Sequence, residues 1–203
     1  MKKKSFVLVF ILIIFQVIFI SGCRKKAIDP NDLTLYLKEL SSYSCRADIK
    51  VKNSKDTYTY STNQIYSKEV GTRIELGKDR VYIYLSDKIY VTDLKNNLKY
   101  LMDKNVDGIY RLSIIQEYVN LLYTSEKIKY NSKNIDGQGY QTIELSIPGN
   151  NRNMSKAILY ANTKTKVPYK LYIYDSKEQE RVEIVYNDFK ANIEVNKILF
   201  EVK

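Results

Sequence analysis

The sequence contains no histidine and no tryptophan, and its only cysteines are Cys23 and Cys45. Because zinc sites normally draw on several histidine or cysteine ligands, we do not expect a zinc site. Without histidine, Ser-His-Asp and Cys-His catalysis are excluded. The composition therefore predicts a protein without a metal or cofactor that does not act as an enzyme.

Long apolar runs are also scarce, and the chain has a single one, at residues 6–20. It follows Lys2-Lys3-Lys4 and ends at Ile20-Ser21-Gly22-Cys23. A positive start, an apolar middle and small residues at the end are typical of an export signal. As a helix the run would reach about 22 Å, whereas a transmembrane anchor must cross a hydrocarbon core of about 30 Å. The last four residues resemble the lipobox of bacterial lipoproteins.

That resemblance implies that residues 1–22 are removed and that the thiol of Cys23 receives a diacylglyceryl group. Two acyl chains anchor a protein stably, whereas a single chain binds a membrane only marginally. Residues 23–28 would then form a lipidated tether, and residues 29–203 a single domain on the extracytoplasmic face of the cell membrane. Cys45 would have no partner for a disulfide within the mature chain.

The net charge is positive, at +10 for the whole chain, and removal of the three lysines of the signal leaves +7. This balance favours anionic headgroups, anionic wall polymers or an acidic protein partner. The one compact basic cluster is Arg24-Lys25-Lys26, which is either a headgroup contact or a solvated spacer. Elsewhere lysines alternate with acids, and the export signal places the domain away from nucleic acid, so no nucleic-acid partner is expected.

Two segments have helical spacing. Asp29-Pro30-Asn31-Asp32 is a helix entrance, and the apolar residues after it fall at i, i+4 and i+7, as Leu33, Leu37 and Leu40. Residues 109–123 predict a second helix, because their apolar residues lie at helical spacing as Leu112, Ile115, Val119 and Leu122.

The remainder of the domain alternates with a period of two, which predicts strands joined by short turns and hence paired antiparallel. The predicted strands are 43–51, 57–67, 73–76, 80–85, 88–92, 128–130, 141–147, 157–161, 169–174 and 181–186, with 195–202 as a closing segment. Residues 134–139 are predicted to be a turn. The fold class is mainly β within α+β: a curved antiparallel sheet or half-open β-barrel with a helical lid.

The last third of the chain carries a family resemblance. It contains Val167-Pro168-Tyr169-Lys170-Leu171-Tyr172-Ile173-Tyr174-Asp175, a second strand Val182-Glu183-Ile184-Val185-Tyr186, the stretch Asp188-Phe189-Lys190-Ala191-Asn192 and a late Phe200. This ending resembles the LolA/LolB-type lipoprotein carriers, whose fold is a curved antiparallel sheet with helices over an apolar cavity. The turn at residues 176–180 departs from the family, because it lacks the glycine common there.

Within that group, a small lipidated chain rich in lysine and tyrosine is most similar to the clostridial spore germination lipoproteins. The resemblance implies a non-enzymatic partner of a spore cell-wall amidase and a location on a spore membrane. Tyrosines on the outward face of strands would supply contact area, and the candidates are Tyr82, Tyr84, Tyr172 and Tyr174. Plain sheet packing is the competing interpretation of each. Free sheet edges would also allow a homodimer.

Two further hypotheses come from other functional classes. The apolar face of the sheet could carry a lipid or acyl chain, by apolar burial in a cavity. An enzyme built on carboxylates would use Asp103, Asp107 and Asp136, but solvated salt partners explain these acids better. Cys45 lies among apolar residues of a predicted strand, which favours a small buried side chain over a reactive thiol.

Overall fold

A computed structural model describes residues 30–106, 108–125 and 127–202. The described helices are α1 (Pro30–Glu39), α2 (Ile109–Ser113) and α3 (Ile115–Leu122), with 3-10 turns at Lys104–Val106 and Lys197–Phe200. The described strands are β1 (Ser42–Lys52), β2 (Thr57–Ser67), β3 (Gly71–Leu76), β4 (Arg80–Leu85), β5 (Lys88–Asp93), β6 (Leu98–Asp103), β7 (Lys129–Ile135), β8 (Gln138–Ser146), β9 (Lys156–Asn162), β10 (Pro168–Tyr174) and β11 (Glu180–Ala191).

All eleven described strands form one antiparallel sheet in the order β6-β5-β4-β3-β2-β1-β11-β10-β9-β8-β7. The sheet thus joins two meanders through the pairing of β1 with β11, in which Ile49 lies opposite Ile184. Strands β6 and β7 lie at opposite edges and do not pair, so the sheet stays open. This architecture confirms the predicted fold class, a LolA-like antiparallel sheet with few helices.

The alternation of the sequence sets which face of the sheet is buried. In β1, Tyr43, Cys45, Ala47 and Ile49 are buried, while Arg46 and Lys50, on the alternate positions, are exposed. We call the face that carries Ala47 and Ile49 the helix-covered face, because the helices pack on it, and the opposite one the outer face.

The helices cover this face because the chain must cross it. After β6 the chain stands at one edge of the sheet, and β7 begins the opposite edge, so the segment that contains α2 and α3 crosses between them. Leu33, Leu37 and Leu40 of the first stripe are at most 2% exposed and pack in the same core as α3, which confirms the predicted stripe. Gln116 Nε2 donates to the carbonyl of Leu37 at 2.7 Å and fixes α1 against α3.

The predicted helix at residues 109–123 is wrong in one respect, since it is broken at Ile114 into α2 and α3. Ile114 has an extended backbone with ψ of 119°. Ser113 Oγ donates to the carbonyl of Tyr110 at 2.6 Å and accepts from Gln64 Nε2 of the sheet at 2.8 Å. The contact with Gln64, made with a residue far along the chain, overrides the helical spacing of the sequence.

Other differences concern the strands, among them β11, which runs to Ala191 where the prediction ended at residue 186. Strand β6 was not predicted, because its apolar residues do not alternate with polar ones. In the structure several of these apolar residues are exposed. The turn predicted at residues 134–139 is only Asp136-Gly137, with φ of 51° and 78°, and both flanking strands are longer than predicted. The closing segment contains the 3-10 turn Lys197–Phe200 in place of a strand.

Candidate functional site

The outer face of β7–β10 carries a cluster of aromatic and basic side chains. Tyr172 and Tyr174 alternate along β10 with Leu171 and Ile173, which are fully buried in the core, so the two tyrosines lie on the outer face. We call the set the outer tyrosine–lysine cluster: Tyr140, Tyr160, Tyr169, Tyr172 and Tyr174 with Lys133, Lys156 and Lys170.

The rings of the cluster contact one another across neighbouring strands. Tyr172 meets Tyr160 edge-on, with ring centroids 5.6 Å apart, and lies 6.3 Å from Tyr174. Tyr140 and Tyr169 stack at 4.8 Å. Such pairs contribute about 0.5–1.5 kcal/mol each beyond the burial of their area. Tyr140 and Tyr160 are only 7% and 6% exposed, so they hold the neighbouring rings in place and offer little contact area of their own.

Ammonium groups lie over several of these rings. Lys156 Nζ is 5.0 Å from the ring centre of Tyr174, and Lys170 Nζ is 5.2 Å from that of Tyr169. Lys133 Nζ donates to the hydroxyl of Tyr160 at 3.0 Å. The cations therefore lie over ring faces or bond to the hydroxyl of Tyr160, and they hold the rings in place.

The charges of the cluster are largely balanced by carboxylates. Lys170 Nζ is 3.0 Å from Glu183 Oε1, which also accepts from the hydroxyl of Tyr172 at 3.1 Å. Partial burial disfavours the charge of Lys170, but the bond to Glu183 outweighs it, so the pKa of Lys170 is raised. Burial raises the pKa of Tyr174 to about 12, so its phenol stays protonated and can donate to a partner. The face presents rings and hydroxyls more than net charge.

The structure corrects two of the four candidate contacts. Tyr82 and Tyr84 are 7% and 3% exposed and lie in a small core with Ile74 and Ile114, on the helix-covered face. Packing is therefore their role here, and outward contact is not. Ile83 instead lies on the outer face of the sheet, where it is buried beside Glu201 and Val202. Tyr172 and Tyr174 are half-buried on the outer face.

Sequence reasoning missed most of the cluster. Tyr140, Tyr160 and Tyr169 were not singled out, and neither were the three lysines. A signal was present, since tyrosine and lysine recur among the residues of β9 and β10 that alternate with buried aliphatic ones. What the sequence does not give is the pairing of β8, β9 and β10 that brings them together.

A second feature is a cavity of about 560 Å³ at one end of the helix-covered face, between the β1–β2 turn and the start of α2. Its apolar lining comes from Val51, Ile109, Met154 and Val182, and its polar lining includes Lys52 and Arg181. Cavities of this size and mixed lining can take a small apolar molecule.

The loop carboxylates do not converge. Asp103 ends β6 and accepts from the amide of Asn105 at 2.9 Å, whereas Asp136 lies in the β7–β8 turn at the other edge of the sheet. Asp107 lies outside the described residues. Within the described part of the chain, no group of three His, Cys, Asp or Glu side chains is placed to hold a metal ion.

Cys45 is buried, as predicted, at 6% exposure, and it is a free thiol. Burial raises the pKa of its thiol to about 12. At neutral pH the group is therefore a thiol and not a nucleophilic thiolate.

The predicted lipidation site Cys23, the signal residues Ile20, Ser21 and Gly22, and the tether at 23–28 lie outside the described residues. Among the helices that the structure describes, none has the length and apolar character needed to cross a membrane.

Comparison with known proteins gives a family match. The model of a family described as sporulation protein YdcC-like matches residues 2–200. None of the curated proteins compared with this sequence matches it.

The chain is similar to several solved structures. An uncharacterized conserved protein from Thermus thermophilus has a TM-score of 0.57 at 8% identity, over 86% of this chain and 95% of that one. A DUF1329 family protein from Desulfovibrio piger has a TM-score of 0.50 at 13% identity, over 85% and 95%. The GerS lipoprotein, in complex with the CwlD amidase from Clostridioides difficile, has a TM-score of 0.48 at 24% identity, over 79% and 92%.

Proposed function

The chain belongs to the family of YdcC-like sporulation proteins, and we propose that it is a membrane-anchored, non-enzymatic lipoprotein that binds and activates a spore cell-wall amidase. The amidase would be an N-acetylmuramoyl-L-alanine amidase, and the activation would support cortex modification and germination. Family membership supports a role in sporulation, and the outer tyrosine–lysine cluster is the observation that supports the binding role. The likeness to GerS is too distant to transfer its partner, so the amidase is a hypothesis to test.

The proposed contact surface is the outer tyrosine–lysine cluster around Tyr172 and Tyr174. Tyrosine is enriched among the residues that dominate binding energy at interfaces, because it buries a large ring and keeps a hydroxyl for a hydrogen bond. Here the rings sit on paired strands, which hold them in place before binding. Binding a rigid surface costs less conformational entropy than ordering a loop.

The proposed anchor is the lipid on Cys23, on the extracytoplasmic face of a membrane and, in a sporulating cell, on a spore membrane. Support comes from the lipobox-like Ile20-Ser21-Gly22-Cys23 after an apolar run. Labelled palmitate should enter the wild-type protein and fail to enter a Cys23→Ala variant. Equal labelling of both, or of neither, would reject the anchor.

Co-purification from detergent-solubilised membranes of sporulating cells tests the partner. Wild-type protein should retain a cell-wall amidase, and the double variant Tyr172→Ala/Tyr174→Ala should retain at least about tenfold less, as expected for two interface tyrosines. The matched control is Tyr58→Ala, since Tyr58 is a strand tyrosine, 47% exposed, outside the cluster. If no amidase is retained by the wild type, or if all three proteins retain it equally, the proposed contact is wrong.

The cavity favours one alternative function, a lipid or acyl-chain carrier. Its apolar lining by Val51, Ile109, Met154 and Val182 is the supporting observation. Solvent extraction of the purified protein followed by mass spectrometry separates the two functions. Bound lipid in stoichiometric amount, beyond the anchor itself, would favour the carrier.

A further inference from the structure

The two edges of the sheet differ in chemistry. Among the described residues, β6 and β7 each pair with one neighbour only. Strand β7 has the sequence KYNSKNI, and its lysines and asparagines discourage pairing with another strand. Strand β6 has the sequence LKYLMD, and Leu98, Tyr100 and Leu101 are 58%, 42% and 53% exposed. An apolar edge strand of this kind is a template for a further strand.

The hydrogen bonds show which backbone groups of β6 point away from the sheet. The amide of Lys104 donates to the carbonyl of Asp87 at 3.0 Å, one step beyond the pair Lys88–Asp103. Hydrogen-bonded pairs alternate in an antiparallel ladder, so Met102, Tyr100 and Leu98 bond to β5. The amides and carbonyls of Lys99, Leu101 and Asp103 are therefore directed outward.

We propose that β6 pairs antiparallel with β6 of a second copy of this chain, with Leu101 opposite Leu101 of the second copy. A two-fold axis at this position makes all three outward-directed residues hydrogen-bonded pairs. It also places Lys99 opposite Asp103 of the second copy on the outer face, and the same pair recurs on the other side of the axis. Tyr100 lies opposite Met102 of the second copy on the helix-covered face.

This register is specified by chemistry. A slip of one residue would place outer-face side chains opposite helix-covered ones, which the period of two forbids. A slip of two residues, centred on Tyr100, would put Lys99 opposite Leu101 and lose both ion pairs. Asp103 already lies 3.5 Å from Lys88 Nζ of its own chain, and Lys99 of the second copy would add a second cation on its other side. This charge complementarity about a central Leu101 is what favours a second copy over a foreign strand. The two central leucines and the Tyr100–Met102 contacts supply the apolar burial.

Cysteine cross-linking tests the register in the full-length protein extracted into mild detergent. Leu101→Cys should form a disulfide-linked dimer on oxidation with copper phenanthroline, because facing residues of an antiparallel pair lie about 5.5 Å apart at Cα, within disulfide reach. Leu98→Cys is the matched control, because Leu98 is as exposed as Leu101. In the proposed register it lies opposite residue 104 of the second copy, six residues away from Leu98 of that copy, so it should not cross-link. The wild-type protein gives the background of cross-linking through Cys23, and Cys45 is buried. Equal cross-linking of both variants, or none of Leu101→Cys, would overturn the proposal.

Charge reversal gives a second measurement that does not depend on oxidation. Lys99→Asp would place two carboxylates together at each ion-pair position and should weaken dimerisation by about tenfold, as two like-charged cross-strand pairs would. The double variant Lys99→Asp/Asp103→Lys restores the pairs between copies but loses the contacts of Asp103 with Lys88 and the amide of Asn105, so it should bind more tightly than Lys99→Asp and less tightly than wild type, measured by analytical ultracentrifugation. A monomeric wild type, or a double variant no tighter than Lys99→Asp, contradicts the proposal. The result is independent of amidase binding, because the outer tyrosine–lysine cluster lies on the other half of the sheet.

Discussion

The hydroxyl of Tyr43 accepts a hydrogen bond of 3.1 Å from the backbone amide of Ile115, and both residues are completely buried. Ile115 begins α3, where the first amides have no partner within the helix. One residue before the break, the carbonyl of Ser113 accepts from the hydroxyl of Tyr186 at 3.0 Å. Side chains of the central strands thus satisfy the backbone that the helix break exposes.

Removal of the Tyr43 hydroxyl should therefore destabilise the protein. Tyr43→Phe keeps the ring, which stacks on Tyr66 at 5.2 Å, but leaves a buried amide unsatisfied, at about 1–3 kcal/mol. Tyr66→Phe is the matched control, because it removes a hydroxyl from the stacked neighbour and leaves the amide of Ile115 bonded. Urea unfolding should show a lower free energy for Tyr43→Phe alone. Equal loss in both variants would mean that the hydroxyl of Tyr43 does not support the helix.

The acid dependence of stability should trace partly to Asp175, a buried carboxylate in the β10–β11 turn. Burial alone would raise its pKa, but bonds from the amide of Gln179 at 2.9 Å and from Arg181 Nε at 2.7 Å outweigh it, and the pKa is lowered. A lowered pKa gives stability that is present above the unfolded value near 3.8 and is lost as the pH falls through the folded value.

Asp175→Asn should accordingly unfold at lower urea than wild type at pH 7, and the difference should shrink towards pH 2. Asp188→Asn is a suitable control, since that side chain is 76% exposed and its ion pair with Arg46 is long, at 3.8 Å. Such an exposed pair contributes little to stability. A difference that stays constant from pH 7 to pH 2 would show that charge is not the cause.

The thiol of Cys45 should resist alkylation while the protein is folded. Its pKa of about 12 and its burial both suppress the thiolate that reacts with iodoacetamide. At pH 8 the folded protein should show no modification of Cys45 by mass spectrometry, and Cys45 should be modified in urea. Rapid alkylation of Cys45 in the folded protein would show that β1 opens readily.

Gly137 should contribute to stability only because glycine tolerates the positive φ of the β7–β8 turn. Its φ is +78°, and a Cβ at this position would meet no atom within 4 Å. Gly137→Ala should lower the free energy of unfolding by about 1 kcal/mol, and Gly137→Asn by less, because asparagine tolerates positive φ. Thermal denaturation of both variants measures this order. The reverse order would indicate another role for the turn.

Much of the fold could be predicted because local signals and packing agree. The predicted strands at 57–67 and 80–85 match β2 and β4 at both ends, since alternation is clear and turn residues follow. An Asp-Gly pair is a strong signal for a two-residue hairpin loop, so Asp136-Gly137 would have limited the predicted turn to these two residues. The break at Ile114 lacks any such signal, because it depends on Tyr43, Gln64 and Tyr186 from distant strands.

The site was harder to predict, because a strand that is apolar on both sides does not reveal its buried face. In β4, the aliphatic Val81, Ile83 and Leu85 alternate with Tyr82 and Tyr84, and the tyrosines turn towards the helices. In β10 the aliphatic Leu171 and Ile173 lie inward, so the same kind of pattern has the opposite outcome. Only strand order and the path of the helices decide between them.

The most direct test is the rate at which a purified spore cell-wall amidase hydrolyses peptidoglycan with and without this protein. We predict that the wild-type protein raises the rate in a saturable manner, and that Tyr172→Ala/Tyr174→Ala raises it far less while Tyr58→Ala acts as wild type. A rate that is the same with and without the protein, together with no complex between the two, would contradict the proposed function.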